Sequence, residues 1–510
     1  MDGRAKLRTA AAGVASVALG AGVGELAAAW VAPGSSPIGA IGDAAIDLSP
    51  AWAKETAIAV FGTADKLTLV IGIGVVLLAI AAGLGIAEAR FPRTGALSCA
   101  ALGLIGVAAA VSRADAEGLA WMPSMIAGAV AALTIGPLAR RGRAPVTATS
   151  GTPDAVTRRR FFAWAGATAL VGVAVAATGA LLQTGSRAAI AARRALRLPA
   201  PARTAPPIPA GADLDVPGLA PLVTPSATFY RVDTALIVPQ VDPAHWSLRV
   251  HGLVDHEVVL GWNELLALPL QESYTTLACV SNPVGGGLIG NARWLGYPIR
   301  ELLARASPHS DADMVLSRSA DGFTASTPLE ILTDSRDAIL AVAMNGAPLP
   351  PEHGFPVRMV VPGLYGYVSA TKWVVDLDVT RFDRATAYWT EQGWAPRGPI
   401  KLESRIDVPR VGQTVPSGDR MIAGVAWQQH IGVSKVEVSV DDGAWQEAEL
   451  APAISADTWV QWRLPWHAAS GEHAIRCRAT NRAGQLQTAR EASPVPDGAT
   501  GWPRITVHVA

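Results

Sequence analysis

Four uncharged, apolar runs of bilayer-spanning length crowd the first 183 residues: 67–87, 94–112, 118–139 and 161–183. A bilayer span takes about 20 apolar residues in helical form. These runs are rich in Ala, Gly, Val and Leu, which suits close helix packing in lipid. Thr9–Val31 is a fifth candidate, interrupted by Glu25. A chain that opens this way starts as a bundle of transmembrane helices. Glu25 reads as a proton or partner site within a span, or as a mark of a helix end.

Charge sets the expected orientation. Residues 1–200 hold 18 Lys and Arg against 10 Asp and Glu, whereas the remainder holds 24 against 32. Arg4, Lys6 and Arg8 precede the first span, and Arg90 and Arg93 lie between the second and third. Arg140, Arg141, Arg143 and Arg158–Arg160 precede the fifth. The positive-inside rule then puts the N-terminus in the cytoplasm and everything beyond the fifth span outside it. No basic patch interleaved with aromatics suggests nucleic acid. All nine histidines lie at or beyond His245, so the membrane region offers no bis-histidine haem site.

Residues 184–226 are rich in Ala, Pro and Arg and read as an extended tether. Beyond them, strand-like segments (Trp246–Val250) alternate with short helices (Gly261–Leu268), an α+β pattern lasting to about residue 385. From Gly393 the pattern is all-β. Val436, Val438 and Val440 alternate into the turn Asp441-Asp442-Gly443, Trp459–Trp466 alternates again, and Ile475–Thr480 runs into a turn at Asn481–Gly484. About a hundred residues of short strands suggest an immunoglobulin-like sandwich. The expected domains are 1–183, 184–226, 227–393 and 394–510.

The chain has three cysteines, Cys99, Cys279 and Cys477, with no close pair, so neither a zinc motif nor a disulfide framework is expected. Cys99 and Cys477 read as small buried residues. Cys279 differs. It precedes Ser281-Asn282-Pro283 and the glycines Gly285–Gly287, a loop where backbone can approach a bulky metal cofactor.

Several stretches together resemble the sulfite oxidase family of molybdopterin-dependent oxidoreductases. They are Phe229-Tyr230-Arg231, Leu277–Asn282, Ala292-Arg293-Trp294, Ala325–Leu329 and the run Asn345–Gly363 that contains His353 and Arg358. Tyr365-Gly366 and Thr371-Lys372-Trp373 complete the set, which covers about residues 226–380. The resemblance implies a molybdenum centre with one pterin, ligated by the Cys279 thiolate. It also implies cofactor contacts from Arg231, His353, Arg358 and Lys372, with Asn282, Arg293 and Ser326 as further candidates. Taken singly, Arg358 or Lys372 would read as a surface ion pair and His353 as a loop histidine. The resemblance extends to the C-terminal region, where Ser404-Arg405-Ile406 opens what would be a dimerisation domain, implying a homodimer.

Two departures bear on substrate. Arg231-Val232-Asp233 stands where animal-type sulfite oxidases resemble R-N-H, and Pro283 and Val284 stand where they carry arginines. The haem domain of those enzymes has no counterpart, so a separate electron carrier is expected. The expected function is oxygen-atom transfer on a small sulfur- or nitrogen-oxide substrate, sulfite among them. The alternatives are a methionine-sulfoxide or other S-oxide reductase of the same fold, a non-catalytic membrane-anchored binding module, and a transporter. Few spans and few intramembrane polar groups speak against the transporter.

Thr157-Arg158-Arg159-Arg160-Phe161-Phe162 resembles a twin-arginine export signal, which carries folded, cofactor-loaded proteins; an ordinary basic flank is the alternative. Replacing Arg158 and Arg159 by Lys is expected to strand the C-terminal region in the cytoplasm. Protease accessibility on spheroplasts checks this, and unchanged export removes the reading.

Overall fold

The computed structural model describes residues 3–32, 35–49, 65–113, 116, 118–143, 163, 166–174, 191–235 and 238–510. The chain divides into two units: 1–191 with 234–240, and 192–233 with 241–510.

In the first unit, four helices among the described residues are long and apolar enough to cross a membrane: Ala5–Val31, Ile71–Arg90, Thr94–Val111 and Met122–Gly142. Of the fifth expected span, 161–183, only 163 and 166–174 are described, and these are helical. Arg158 and Arg159 lie outside the described residues. Small residues let the helix backbones touch. A β-carbon on Gly13 would sit 2.0 Å from the Ala81 carbonyl oxygen, and one on Gly128 would sit 2.6 Å from Gly103 Cα. Bulky side chains, including Val75, Leu97, Leu104 and Leu133, point outward, as lipid contact requires.

Glu25 is buried, and its carboxylate accepts the Ser36 hydroxyl (2.8 Å) and the Ile38 N–H (3.1 Å). It therefore caps the helix Pro37–Leu48, a 12-residue element too short to span and not anticipated from the sequence. Glu88 does the same for the helix Thr94–Val111, accepting from the N–H groups of Arg93 and Ala96 (both 3.1 Å). Both carboxylates satisfy helix starts that lipid could not.

The second unit begins with the segment read as a tether. It does not stand free. Ala202 N–H donates to Leu270 O (2.7 Å), Thr224 N–H donates to Asn291 O (2.8 Å), and Ala212 and Leu222 are buried. Pro-rich extended backbone has unpaired amides that sheet edges and loops can take up.

Next come ten strands: β1 (Ser247–Gly252), β2 (Val258–Gly261), β3 (Gln271–Ala278), β4 (Ile289–Pro298), β5 (Met314–Ser319), β6 (Thr324–Pro328), β7 (Ile339–Met344), β8 (Ala347–Pro348), β9 (Arg358–Val360) and β10 (Val374–Thr380). One sheet runs β2-β1-β10-β5-β6; the other runs β3-β4-β7-β8, with β9 also paired to β7. The helix Ile299–Ala306 shows how the core is built. Its buried Ile299, Leu302, Leu303 and Ala306 recur at helical spacing, with Glu301 and Arg305 on the other side. Every residue of β7 is buried, which marks it as the central strand.

Nine further strands follow: β11 (Glu403–Val408), β12 (Thr414–Val415), β13 (Gly418–Trp427), β14 (Val433–Val440), β15 (Gln446–Glu447), β16 (Glu449–Leu450), β17 (Val460–Ala468), β18 (Gly471–Asn481) and β19 (Arg504–Val509). They make two sheets, β11-β13-β17-β16 and β12-β19-β18-β14-β15. Ile422, Val436, Val438, Trp462, Ile475, Cys477 and Val507 pack as one core. The turn after β14 has positive φ at Asp441 (52°) and Asp442 (58°), the conformation a two-residue hairpin demands. Cys99 and Cys477 are buried free thiols.

Gly85→Val is expected to cost about 1–3 kcal/mol through overpacking, since a β-carbon there would lie 2.0 Å from the Thr9 carbonyl oxygen. The readout is a lowered thermal midpoint in detergent. Gly72→Val, where an added carbon meets nothing within 4 Å, should leave it unchanged.

Candidate active site

Cys279 follows the last residue of β3, buried at 8% exposure, with its N–H donating to Leu288 O (2.9 Å) across the loop. Burial pushes its thiol up, opposed by hydrogen bonds from the Ser281 backbone and side chain. Asn282 holds the loop: its Oδ1 accepts the Leu288 N–H (2.8 Å). A β-carbon on Gly286 would lie 2.5 Å from that oxygen, so glycine is required for the loop to close over Asn282. The amide nitrogen of Asn282 is buried without a partner.

The segment 226–233 reaches the site through an aromatic contact chain. Phe229 stacks on Tyr230 (5.3 Å between ring centroids) and meets Trp294 (5.8 Å) and His353 (5.6 Å) edge-on. Trp294, on β4, lies beneath the Arg358 guanidinium at 5.1 Å. Arg358 opens β9 and is 6% exposed; it donates only to backbone carbonyls, those of His353 (3.2 Å), Ala370 (3.4 Å) and Met359 (3.4 Å). Among the described residues no carboxylate pairs with it. Burial pulls its pKa down to about 10, with Tyr230 opposing.

His353 Nε2 lies 3.0 Å from the Ser226 carbonyl. A carbonyl only accepts, so Nε2 carries the proton and Nδ1 is left as an acceptor. Burial first, and then Arg358, lower the His353 pKa to about 4, the Ser226 bond opposing. Lys372 is buried and donates to the Asp233 carboxylate and to Glu352 O (3.2 Å). Arg231 also bonds Asp233, Nε at 2.8 Å from Oδ2. Gly354 adopts φ 107°, and a β-carbon there would crowd Arg358 Cβ (3.0 Å) and Lys372 Cβ (3.1 Å). Glycine lets the two cations converge.

The structure thus brings Cys279, Asn282, Arg231, His353, Arg358 and Lys372 into one region of the second unit. Arg293 is not among them. Arg293 alternates with Ala292 and Trp294 along β4, so it leaves the face opposite the Trp294 ring that underlies Arg358 and lies 3.6 Å from Glu272; its backbone N–H donates to Asn345 Oδ1 (3.0 Å). Ser326, on β6, donates to the Pro396 carbonyl (3.2 Å).

Three neighbours went unassigned in the sequence. Tyr230 feels burial first and then Cys279, both raising its pKa. Tyr365 is raised by burial, by Glu403 and by Cys279. Glu403, on β11, is pushed up to about 8 by burial. Both tyrosines stand inside the quoted motifs, beside Arg231 and Gly366; nothing local marks Glu403.

The donor set fits a molybdopterin. A soft thiol, an unpaired amide donor, a neutral imidazole acceptor and a guanidinium without a counter-anion match a metal, a polar ring system and a phosphate. No cluster of three or more His, Cys, Asp or Glu suited to a metal occurs among the described residues.

Residues 235–389 match a model of the oxidoreductase molybdopterin binding domain. The chain is 30% identical to the sulfite oxidase of Gallus gallus over 52% of its own length and 68% of that protein. It is 30% identical to the mitochondrial sulfite oxidase of Rattus norvegicus, of which it spans 57%. It is 34% identical to the uncharacterized oxidoreductase YuiH of Bacillus subtilis (strain 168), over 31% of this chain and 76% of that one. Among solved structures, the sulfane dehydrogenase SoxCD of Paracoccus pantotrophus matches at a TM-score of 0.49 and 24% identity, covering 55% of this chain and 80% of that one.

The His353 imidazole is neutral in the fold, whereas the unfolded residue protonates near pH 6.5. The unfolded state therefore binds the extra proton as pH falls, and stability declines from about 6.5 down to about 4. His353→Gln, which keeps a donor for Ser226 O, should remove about 3 kcal/mol of this pH dependence. Thermal melts of both proteins between pH 4 and 7 measure it.

Proposed function

We propose, on the premise that the chain belongs to the sulfite oxidase family of molybdopterin-dependent oxidoreductases, that it is a membrane-anchored enzyme with an extracytoplasmic active site. Its reaction is oxygen-atom transfer on a small sulfur- or nitrogen-oxide substrate. The observation that carries the reading is the buried Arg358 guanidinium, unpaired with any described carboxylate, in the same region as the Cys279 thiol. A desolvated cation needs an anion to offset its burial, and a phosphate-bearing pterin supplies one.

When bound, the molybdenum cofactor supplies a two-electron centre competent for oxygen-atom exchange. The chain's residues do the rest. Ser281 donates to the Cys279 sulfur and favours the thiolate that a metal requires. Arg358 presents charge, Asn282 its free amide hydrogens, and His353 an acceptor at Nδ1. Asp233 accepts from both Lys372 and Arg231 and offsets one of their two positive charges. Tyr230 and Tyr365 are held protonated by burial.

Electrons pass to or from a separate carrier. The two-sheet C-terminal region is read as an immunoglobulin-like dimerisation domain. Basic flanks of the first-unit helices support the extracytoplasmic orientation.

An S-oxide reductase of the same fold is the second reading. Pro283 and Val284 offer no charge where animal-type sulfite oxidases have arginines, and a sulfite dianion wants cations around it.

Purified full-length protein is expected to contain one molybdenum and one pterin per chain. Cys279→Ser should lower activity by at least roughly 1,000-fold in a redox-dye assay against sulfite, sulfoxides and N-oxides. Well-expressed wild type without molybdenum, indistinguishable from Cys279→Ser, would leave only the binding module.

A further inference from the structure

The loop after Cys279 is held by the C-terminal β region as well as by its own strands. Arg405, on β11, donates through Nη1 to the carbonyl of Gly286 (3.2 Å). Its guanidinium is fixed by Asp407, which accepts from Nε (2.5 Å) and Nη2 (3.2 Å), and it lies 5.8 Å from the Trp459 ring centroid. Arg405 and Asp407 side chains are 12% and 10% exposed. Asp407 is itself tied down, since its Oδ2 accepts the Ala220 N–H (3.1 Å). The two residues before Gly286 make parallel contacts. A β-carbon on Gly285 would lie 3.3 Å from Pro503 Cβ, and one on Gly501 would lie 3.4 Å from Val284 Cγ2.

The strand leading to the cysteine is gripped from the same side. Thr276 N–H donates to Asp457 O (3.0 Å), Trp459 N–H to Thr276 Oγ1 (2.8 Å), and Gln429 Nε2 to Thr276 O (2.9 Å). A carbonyl in a three-glycine loop has little intrinsic reason to stay in one place. A half-neutralised, mostly buried guanidinium fixes it at charge-assisted strength.

We infer that Arg405 is a positioning residue for Cys279: the β region clamps the 284–286 loop through the Gly286 carbonyl and thereby sets how closed the backbone is around the sulfur. This rests on reading Cys279 as the ligand of the proposed cofactor. It gives the β region a part in the active site beyond any role in dimerisation.

The test is iodoacetamide alkylation of the full-length, cofactor-free chain in detergent, with the rate at each cysteine followed by peptide mass spectrometry. Cys477, fully buried in the β-region core and donating to Ser404 Oγ (3.3 Å), reports opening of the β region itself. Arg405→Met should accelerate alkylation at Cys279 roughly tenfold, the scale of one lost charge-assisted bond, and leave Cys477 unchanged. Asp407→Asn, which keeps the guanidinium but weakens its anchor, should give a smaller acceleration at Cys279 alone; it carries the test if Arg405→Met does not fold. Equal acceleration at both cysteines, or none at Cys279, overturns the inference. Molybdenum content of the wild type separates the two claims. Absent metal with selective acceleration removes the proposed function and leaves the clamp, whereas bound metal with no acceleration does the reverse.

Discussion

A guanidinium taken out of water without a counter-ion is among the more expensive features a fold can carry, several kcal/mol even after relaxation. Arg358 is such a group, with three long bonds to carbonyls and the face of Trp294 as its company. Much of the second unit can be understood as making that burial tolerable. Asp233 offsets one of the two positive charges on Lys372 and Arg231, which reduces what the neighbouring cations add to the cost. His353 gives up its proton, so it contributes no charge. Phe229 wedges between Tyr230, Trp294 and His353, and fits only because Gly290 has no side chain: a β-carbon there would lie 2.7 Å from the ring.

The first unit handles polarity differently. Among the described residues two of its carboxylates are buried, Glu25 and Glu88, and both accept from backbone N–H groups at helix starts. Each thereby closes a helix end that lipid could not satisfy.

What the sequence made legible follows the range of each interaction. The run from Asn345 to Gly363 places His353, Gly354 and Arg358 within six residues, so their convergence is local. On β4, strand alternation alone puts Arg293 on the face opposite Ala292 and Trp294. The Pro-rich segment 184–226 shows the limit of composition, which reports extended backbone but not whether its amides meet water or a sheet edge. Arg405 and Gly286 are 119 residues apart, and no local pattern joins them. The same holds for Glu403, whose burial depends on packing from both sheet systems.

The surroundings of Cys279 are asymmetric in charge, and this bears on the substrate. The cations Arg231, Arg358 and Lys372 belong to the side read as the cofactor cradle, two of them already paired to Asp233. Tyr230 and Tyr365 are kept neutral chiefly by burial, with the cysteine's charge acting in the same direction. Glu403, which acts on Tyr365, is an acid held neutral up to about pH 8. Above that pH it becomes an anion and repels another. On the proposed reading, Pro283 and Val284 return no charge to a doubly charged oxyanion that gives up its hydration. An uncharged S-oxide or N-oxide gives up less, which is the physical ground for the S-oxide reductase as the second reading.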